Sequence, residues 1–254
     1  MMIEIKSWHD GKVLFSGEFG SLKLAVEAAV SQGVSLSYAS LVGASLVGAR
    51  LDRASLVGAR LDRARLDRAI LVGASLDGAS LDGASLVGAR LDRARLDRAI
   101  LVGASLVGAS LDGASLDGAS LVGARLDRAS LVGASLDGAS LDAKQLQMFR
   151  DDIWGVLSSA PAEVKGLLKA LEDGKVDGST YEGSCACLVG TIANVRGCKY
   201  DAVKGLSPNS SRPAEVWFMQ IRKGDTPKTN KAAKQAHEWI SQWLETMQGA
   251  FAGK

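Results

Sequence analysis

Residues 39–58 read ASLVG ASLVG ARLDR ASLVG, and this five-residue unit decides the architecture of the chain. A leucine falls at every fifth position from Leu36 to Leu141, which makes 22 consecutive units in residues 34–143. In most units, alanine and then serine or arginine precede the leucine, valine or aspartate follows it, and glycine or arginine ends the unit. Repetition at a fixed period predicts a solenoid, in which each unit is stable only when stacked on its neighbours.

The five-residue period excludes both ordinary secondary structures for this stretch. On an α-helix, five steps of about 100° leave each leucine about 140° from the last, so no apolar face forms. On a flat strand, five steps place successive leucines on opposite faces. All leucines can therefore point inward only if the chain turns a corner once per unit. We expect glycines such as Gly43, Gly48 and Gly58 at these corners, because glycine adopts turn conformations without steric cost.

The units resemble those of the pentapeptide-repeat family, whose usual unit is alanine, aspartate or asparagine, leucine and two variable residues. The resemblance covers about 110 residues and implies a right-handed quadrilateral β-helix with four units per coil. Serine or arginine stands here where the family has aspartate or asparagine, which leaves open how these side chains hydrogen bond. Residues 1–33 also resemble the opening of pentapeptide-repeat proteins of phages and prophages, which implies a viral or prophage origin.

A coil of 20 residues would stack Asp77, Asp97, Asp117 and Asp137 in one column on one face. Neighbouring carboxylates about 5 Å apart repel each other by about 1 kcal/mol in water. The rest of the surface is mixed, since residues 34–143 hold 12 arginines and 12 aspartates. Residues 55–76 and 85–106 are identical, so the column is either a binding feature or a by-product of unit duplication.

An acidic column on a rigid rod suggests imitation of a nucleic-acid backbone. The best-known pentapeptide-repeat proteins are DNA-shaped inhibitors of gyrase, so the resemblance implies gyrase or topoisomerase inhibition as one alternative function. The neutral repeat argues against it, because phosphate charge dominates the affinity that a mimic must copy. We also do not expect direct nucleic-acid binding, since no basic stripe with interleaved aromatic residues is present.

Residues 1–33 predict a small N-terminal cap that covers the open end of the β-helix. Ile3–Trp8 and Lys12–Ser16 have the composition of two strands joined by a turn at Asp10-Gly11. Ser21 is placed to cap a helix over Leu22–Gln32, which Gly33 would end.

Residues 144–254 predict a separate, mostly helical domain, because the five-residue period stops and the composition changes. This region holds four of the five tryptophans, all three cysteines and all four prolines. Apolar spacing and capping residues predict four helices: Pro161–Glu172, Cys185–Val195, Pro213–Ile221 and a last one opened by Thr226-Pro227. Trp239 and Trp243 lie on one stripe of the last helix. They are candidates for a partner surface, although core packing is the simpler interpretation.

The motifs that carry chemistry are weak in this chain. Cys185, Cys187, Cys198 and His237 could be written as a zinc site, but the spacing differs from the usual paired cysteines. Buried structural thiols are the preferred interpretation, and no phosphate-binding loop is present. We therefore predict no enzymatic activity, no metal and no cofactor.

The composition is compatible with a cytoplasmic protein, which would lie in the host cytoplasm if a phage encodes it. The net charge is +2, no run of 18 apolar residues occurs, and the N-terminus lacks the pattern of a signal peptide. The repeat and the lack of catalytic motifs predict a non-catalytic protein that binds another macromolecule. The resemblance of residues 1–33 to phage and prophage proteins implies the narrower role of a phage factor that binds and interferes with a host protein in defence or DNA handling. The further alternative is a structural protein that assembles with itself.

Overall fold

The chain divides into two compact units, Met1–Asp142 and Ala143–Lys254, in a computed structural model. The structure describes residues 1–180, 183, 186–209 and 212–252. Among the helices of these residues, none combines the length and the apolar character that a bilayer span requires.

Residues 34–142 form a four-sided β-helix-like solenoid. Parallel β-bridges join residues 20 apart, from Ser40 with Arg60 to Ser120 with Ser140, and they recur at every fifth residue. From Leu36 to Leu121, the amide of each leucine donates to a carbonyl of the next coil, as in Leu41 N to Arg60 O at 2.8 Å. Four units therefore close one coil, and each coil hydrogen bonds along its length to the coil above and the coil below.

The leucines and alanines fill the interior of the solenoid. Every fifth residue from Leu36 to Leu136 is a leucine that is at most 8% exposed, and Leu141 at the last turn is half-buried. The alanines that precede them are equally buried up to Ala124. Since each buried leucine contributes about 1.5–3 kcal/mol, this apolar column stabilises the fold only as long as the coils remain stacked.

The corners lie two residues after each leucine, where the backbone adopts positive φ. Glycine occupies most of these positions, with φ between 63° and 72° from Gly43 to Gly138. Six corners carry arginine at φ 56–58°, which we call the corner arginines: Arg53, Arg63, Arg68, Arg93, Arg98 and Arg128. The left-handed conformation costs an L-residue with a Cβ about 1–2 kcal/mol. The predicted glycine corners are confirmed, whereas strained arginines at equivalent corners were not expected.

The N-terminal segment consists of a hairpin and a helix. Strands β1 (Met2–Lys6) and β2 (Val13–Glu18) pair antiparallel, and helix α1 spans Leu22–Ser31. The Ser21 hydroxyl accepts a hydrogen bond from the Leu24 amide. The second strand begins and ends later in the chain than Lys12–Ser16, the range that composition indicated.

This segment is hydrogen bonded to the first two coils of the solenoid. The Trp8 amide donates to Tyr38 O at 2.9 Å, and the Trp8 indole N–H donates to Gly58 O at 2.8 Å. The Arg60 guanidinium stacks 4.1 Å from the centre of the Trp8 ring. The aromatic residues of the hairpin thus attach it to the edge of the solenoid.

The second unit is helical. Its described helices are α2 (Ala143–Ser159), α3 (Val164–Glu172), α4 (Leu188–Arg196), α5 (Pro213–Phe218) and α6 (Lys231–Ala252). Short 3₁₀ turns lie at Pro161–Glu163 and Tyr200–Ala202. Sequence patterns missed α2 entirely. The predicted start of the last helix at Thr226-Pro227 is wrong: residues 226–229 form a turn, and the Asn230 side chain caps α6 by accepting from the Ala233 amide at 2.9 Å.

Aromatic rings and two ion pairs hold these helices together. The Trp217 ring lies between Phe149 and Trp239, with centroid distances of 5.1 and 4.9 Å. Arg212 forms two hydrogen bonds with Asp152, at 3.0 and 2.8 Å, and Asp152 also accepts from the amide of Ala214 at the start of α5. Arg196 binds both oxygens of Glu163 in the same way. The two ion pairs thus tie the start of α5 to α2 and the end of α4 to the turn before α3.

Candidate partner-binding surface

The acidic column runs along one side of the solenoid, but its carboxylates point along the column. Asp77 Oδ1 accepts from the amide of Asp97 at 3.3 Å, and Asp97 Oδ1 accepts from the amide of Asp117 at the same distance. Asp117 accepts in turn from the amide of Asp137 at 3.1 Å. Within the column only Asp137, at its end, is exposed; the other three are half-buried. The column therefore offers partly satisfied acceptors rather than a row of free charges.

Serine hydroxyls donate to six aspartates of the solenoid, and two of these, Asp97 and Asp117, belong to the acidic column. A serine donates to the aspartate 18 residues before it, which lies on the preceding coil, in Ser80–Asp62, Ser85–Asp67, Ser110–Asp92, Ser115–Asp97, Ser130–Asp112 and Ser135–Asp117. This pattern answers how serine in place of the family's aspartate or asparagine hydrogen bonds. The acceptor lies after the leucine of the unit, and the donor lies before the leucine of a unit on the next coil.

Ion pairs between arginine and aspartate are few and exposed. Arg95 contacts Asp77 at 2.7 Å, whereas Arg65 and its neighbour Asp67 are 3.8 Å apart. These two arginine side chains are 64% and 65% exposed. Such pairs contribute about 0–1 kcal/mol each to the free energy of folding, so the buried leucines and not these pairs stabilise the solenoid.

The corner arginines are not neutralised. All six are exposed, and no carboxylate among the described residues lies within 4.0 Å of their guanidinium groups. In all of them except Arg128, the side chain lies over the glycine corner of the next coil. The Arg68 Cγ, for example, lies 3.7 Å from the point where a Cβ on Gly88 would sit. Sequence reasoning missed these residues as a class. The signal for them was present, since arginine stands where the unit otherwise has glycine.

Trp239 and Trp243 do not form a partner surface, and that prediction is corrected here. They are 5% and 3% exposed, and the Trp239 ring packs on Trp217 inside the second unit. The Trp154 indole also donates to the Trp239 carbonyl at 2.9 Å. The stripe on α6 is therefore a core stripe, because its helical spacing directs both rings toward the other helices. Phe251, further along the helix, has a side chain outside the described residues.

The cysteine and histidine residues are not gathered into one site. Cys187 is buried at the start of α4, Cys198 is half-buried, and Cys185 lies outside the described residues. His237 contacts Glu172 at 3.2 Å. No group of three or more metal-binding side chains occurs within the described ranges. Burial raises the pKa of the Cys187 thiol far above its ordinary value, which makes it a poor nucleophile at neutral pH.

Glu215 on α5 is the most deeply buried carboxyl group described. It is fully buried, and one oxygen accepts from the amide of Val189 at 3.2 Å. Its other oxygen has no hydrogen-bond partner among the described residues. Burial raises the pKa of Glu215 above its ordinary value, and the nearby Arg212 opposes that shift. Burial therefore disfavours the ionised form of Glu215, so the carboxylate costs the unit stability at neutral pH.

Comparison with known families identifies the repeat. The model of the pentapeptide-repeat family matches overlapping segments that together span residues 32–142, with eight copies. Residues 32–142 therefore match the pentapeptide-repeat family, and we call them the pentapeptide-repeat domain. Proteins of this family are generally non-enzymatic structural or binding proteins. No curated protein matches the chain.

Solved pentapeptide-repeat proteins are similar to this domain. Rfr23 from the cyanobacterium Cyanothece 51142 is 36% identical over 37% of this chain and 61% of its own, with a TM-score of 0.32. HetL from Nostoc sp. strain PCC 7120, which is involved in heterocyst differentiation regulation, is 37% identical over 42% of this chain and 60% of its own, with a TM-score of 0.36. A protein of the Arabidopsis thaliana thylakoid lumen is 25% identical over 53% of this chain and 82% of its own, with a TM-score of 0.35. The chain thus spans about 60% of the length of the two cyanobacterial proteins.

Proposed function

We propose that this chain is a non-catalytic protein-binding protein whose pentapeptide-repeat domain displays charged side chains on a rigid, right-handed coil. One observation carries the proposal. The leucines and alanines close the interior, so the domain can meet another molecule only through the outward residues of each unit. Those outward positions carry 12 arginines and 12 aspartates. A stacked β-helix holds them at fixed spacing, which lowers the entropy lost on binding.

The narrower proposal is that the partner is a bacterial host protein and that the chain acts in the host cytoplasm. Its support is the resemblance of residues 1–33 to phage and prophage proteins. The test is affinity capture with the intact, tagged chain from bacterial lysate, followed by calorimetric titration of the purified partner. We expect saturable one-to-one binding to a defined host protein. If the intact chain retains no protein beyond those retained by an unrelated β-helix, the proposed function is wrong.

Gyrase or topoisomerase inhibition by DNA mimicry is the second candidate, and the acidic column favours it. A supercoiling assay tests it with the double variant Asp97→Lys and Asp117→Lys, which reverses the charge of the column centre. Mimicry predicts inhibition by the wild-type chain and its loss in the variant. Equal supercoiling with and without the chain would exclude mimicry.

Self-assembly is the remaining alternative. Light scattering over a hundredfold range of concentration distinguishes it, because a binding protein for another partner keeps one mass whereas a self-assembling one grows with concentration.

A further inference from the structure

Every arginine of the solenoid belongs to one short sequence. Arg-Leu-Asp-Arg occurs six times, at residues 50–53, 60–63, 65–68, 90–93, 95–98 and 125–128. Its fourth residue is in each case a corner arginine with positive φ. Each copy has a formal charge of +1, whereas the other units are neutral or acidic. The positive charge of the solenoid is therefore confined to these six places.

The fold does not require arginine at these corners. Gly73, Gly88 and Gly113 occupy equivalent corners one coil after Arg53, Arg68 and Arg93, with the same positive φ and without strain. Non-glycine residues held in this conformation cluster at sites where a ligand or partner is bound. No carboxylate of the described residues compensates the strain, because none lies within 4.0 Å of a corner guanidinium.

The aspartate of the same sequence is used differently. Asp67 in residues 65–68 accepts from the Ser85 hydroxyl on the next coil, and Asp92 in residues 90–93 accepts from Ser110 in the same way. Both carboxylates are only 24% and 22% exposed. In the four copies at residues 60–63, 65–68, 90–93 and 95–98 the aspartate is thus turned toward the next coil, whereas Asp52 and Asp127 are exposed. In every copy the exposed corner guanidinium keeps its five N–H donors available.

Three of the corner arginines lie close together with a lysine. Arg53 and Arg93 are 40 residues apart, so they lie at the same corner two coils apart. Arg68 lies at the neighbouring corner of the coil between them. The Lys23 ammonium of α1 lies 3.8 Å from the point where a Cβ on Gly48 would sit, and Gly48 is the corner directly below Arg68. We call Lys23, Arg53, Arg68 and Arg93 the basic patch.

We propose that the basic patch binds an acidic protein segment through guanidinium–carboxylate pairs. This inference rests on the proposed function and names the chemistry of the partner. Guanidinium groups bind carboxylates in a planar, two-bonded geometry, which gives both affinity and orientation.

Features of the same surface favour a protein over a nucleic acid. Residues 39–142 contain no aromatic side chain on which bases could stack, and their arginines and aspartates balance. A nucleic-acid backbone is bound by net positive charge, which this domain lacks. Alternating charges of both signs instead match the mixed surface of a protein partner.

The test is fluorescence anisotropy of labelled poly-L-glutamate with the intact chain in about 50 mM salt, where charge screening is modest. The variant Arg53→Gly, Arg68→Gly and Arg93→Gly replaces each arginine with the residue that the fold uses at equivalent corners. We expect binding to weaken about tenfold, since three exposed pairs are removed. The control variant Lys165→Gln, Lys223→Gln and Lys228→Gln removes the same charge from exposed lysines of the second unit and should bind as the wild type does.

Three results would overturn the inference: no binding of poly-L-glutamate by the wild type, equal weakening in both variants, or tighter binding of duplex DNA of matched charge. Failure of the proposed function is distinguishable from these. If a host partner is captured and the corner-arginine variant binds it with unchanged affinity, protein binding stands and the basic patch is excluded. If no partner is captured, the proposed function fails whatever the peptide result.

Discussion

Replacing a corner arginine with glycine should stabilise the pentapeptide-repeat domain. Arg68 has φ 56°, a left-handed conformation that costs an L-residue with a Cβ about 1–2 kcal/mol of folding free energy and that glycine adopts without this cost. Glycine loses about 0.5–1 kcal/mol more backbone entropy on folding than a residue with a Cβ. The net gain expected for Arg68→Gly is therefore about 0–1.5 kcal/mol, with a midpoint of about 0.75 kcal/mol, because the exposed side chain makes no ion pair that would be lost.

Arg65→Gly is the matched control, since it lies in the same Arg-Leu-Asp-Arg sequence. Arg65 stands before the leucine in extended backbone, where glycine relieves no strain. Its loss removes a weak contact with Asp67 at 3.8 Å and adds the entropy cost, so we expect a destabilisation of about 1 kcal/mol. The two substitutions remove the same charge and should change stability in opposite directions.

Differential scanning calorimetry measures this directly on the full chain. The transition of the first unit should rise by about 2–4 °C in Arg68→Gly and fall by a similar amount in Arg65→Gly. The triple corner variant should rise further, because sites on different coils add. A fall in Arg68→Gly equal to that in Arg65→Gly would refute the assignment of strain to the corner arginines.

Three further predictions concern the cores of the two units. Leu86→Asp places a carboxylate in the filled interior and should unfold the repeat domain, seen as loss of its calorimetric transition, whereas Leu86→Met should retain it. Cys187 should not react with a thiol reagent at pH 8 in the native chain and should react after unfolding, because burial raises its pKa; rapid native labelling at this residue would contradict its burial. The pKa of Glu215 is higher in the folded chain than in the unfolded chain. The stability that its protonated form contributes is therefore complete below the unfolded pKa of about 4.5 and is lost as pH rises through the folded pKa. Glu215→Gln should therefore match the wild type near pH 4 and exceed it in thermal stability at pH 7, and equal pH profiles would show that Glu215 does not titrate differently on folding.

The sequence predicts the solenoid well because one physical constraint recurs in every unit. A leucine at each fifth position is incompatible with a helix or a flat strand, so the corner positions and the inward face follow from Leu36 to Leu136. The columns of residues 20 apart follow from the same arithmetic, and the hydrogen bonds from Asp97 to Asp77 and from Asp117 to Asp97 show this stacking.

The outer surface could not be predicted to the same depth, because it depends on contacts between coils. That Asp67 accepts from Ser85 is invisible in the repeat unit, since the two residues are 18 positions apart. Without knowledge of such hydrogen bonds, the arginine and aspartate side chains could not be distinguished by how many polar partners they have. The corner arginines are exposed and form no ion pair with a described carboxylate, and a composition count does not reveal their backbone conformation.

The second unit shows the limits of apolar patterns. Helix α2 was missed because its buried face, which includes Phe149 and Ile153, is interrupted by charged residues and directly follows the repeat. The stripe of Trp239 and Trp243 was visible, but spacing alone does not distinguish a face that packs against other helices from one that meets a partner.

The central claim is that residues 20 apart stack in register, and a disulfide tests it most directly. Ser85 and Ser105 form a parallel β-bridge, so their Cα atoms should lie about 5 Å apart, within the range that a disulfide spans. In a chain whose three native cysteines are replaced by alanine, Ser85→Cys with Ser105→Cys should oxidise to an intramolecular disulfide. Ser85→Cys with Arg95→Cys, on opposite sides of the coil, should not. A disulfide in the second pair and none in the first would contradict the four-sided coil and every surface column derived from it.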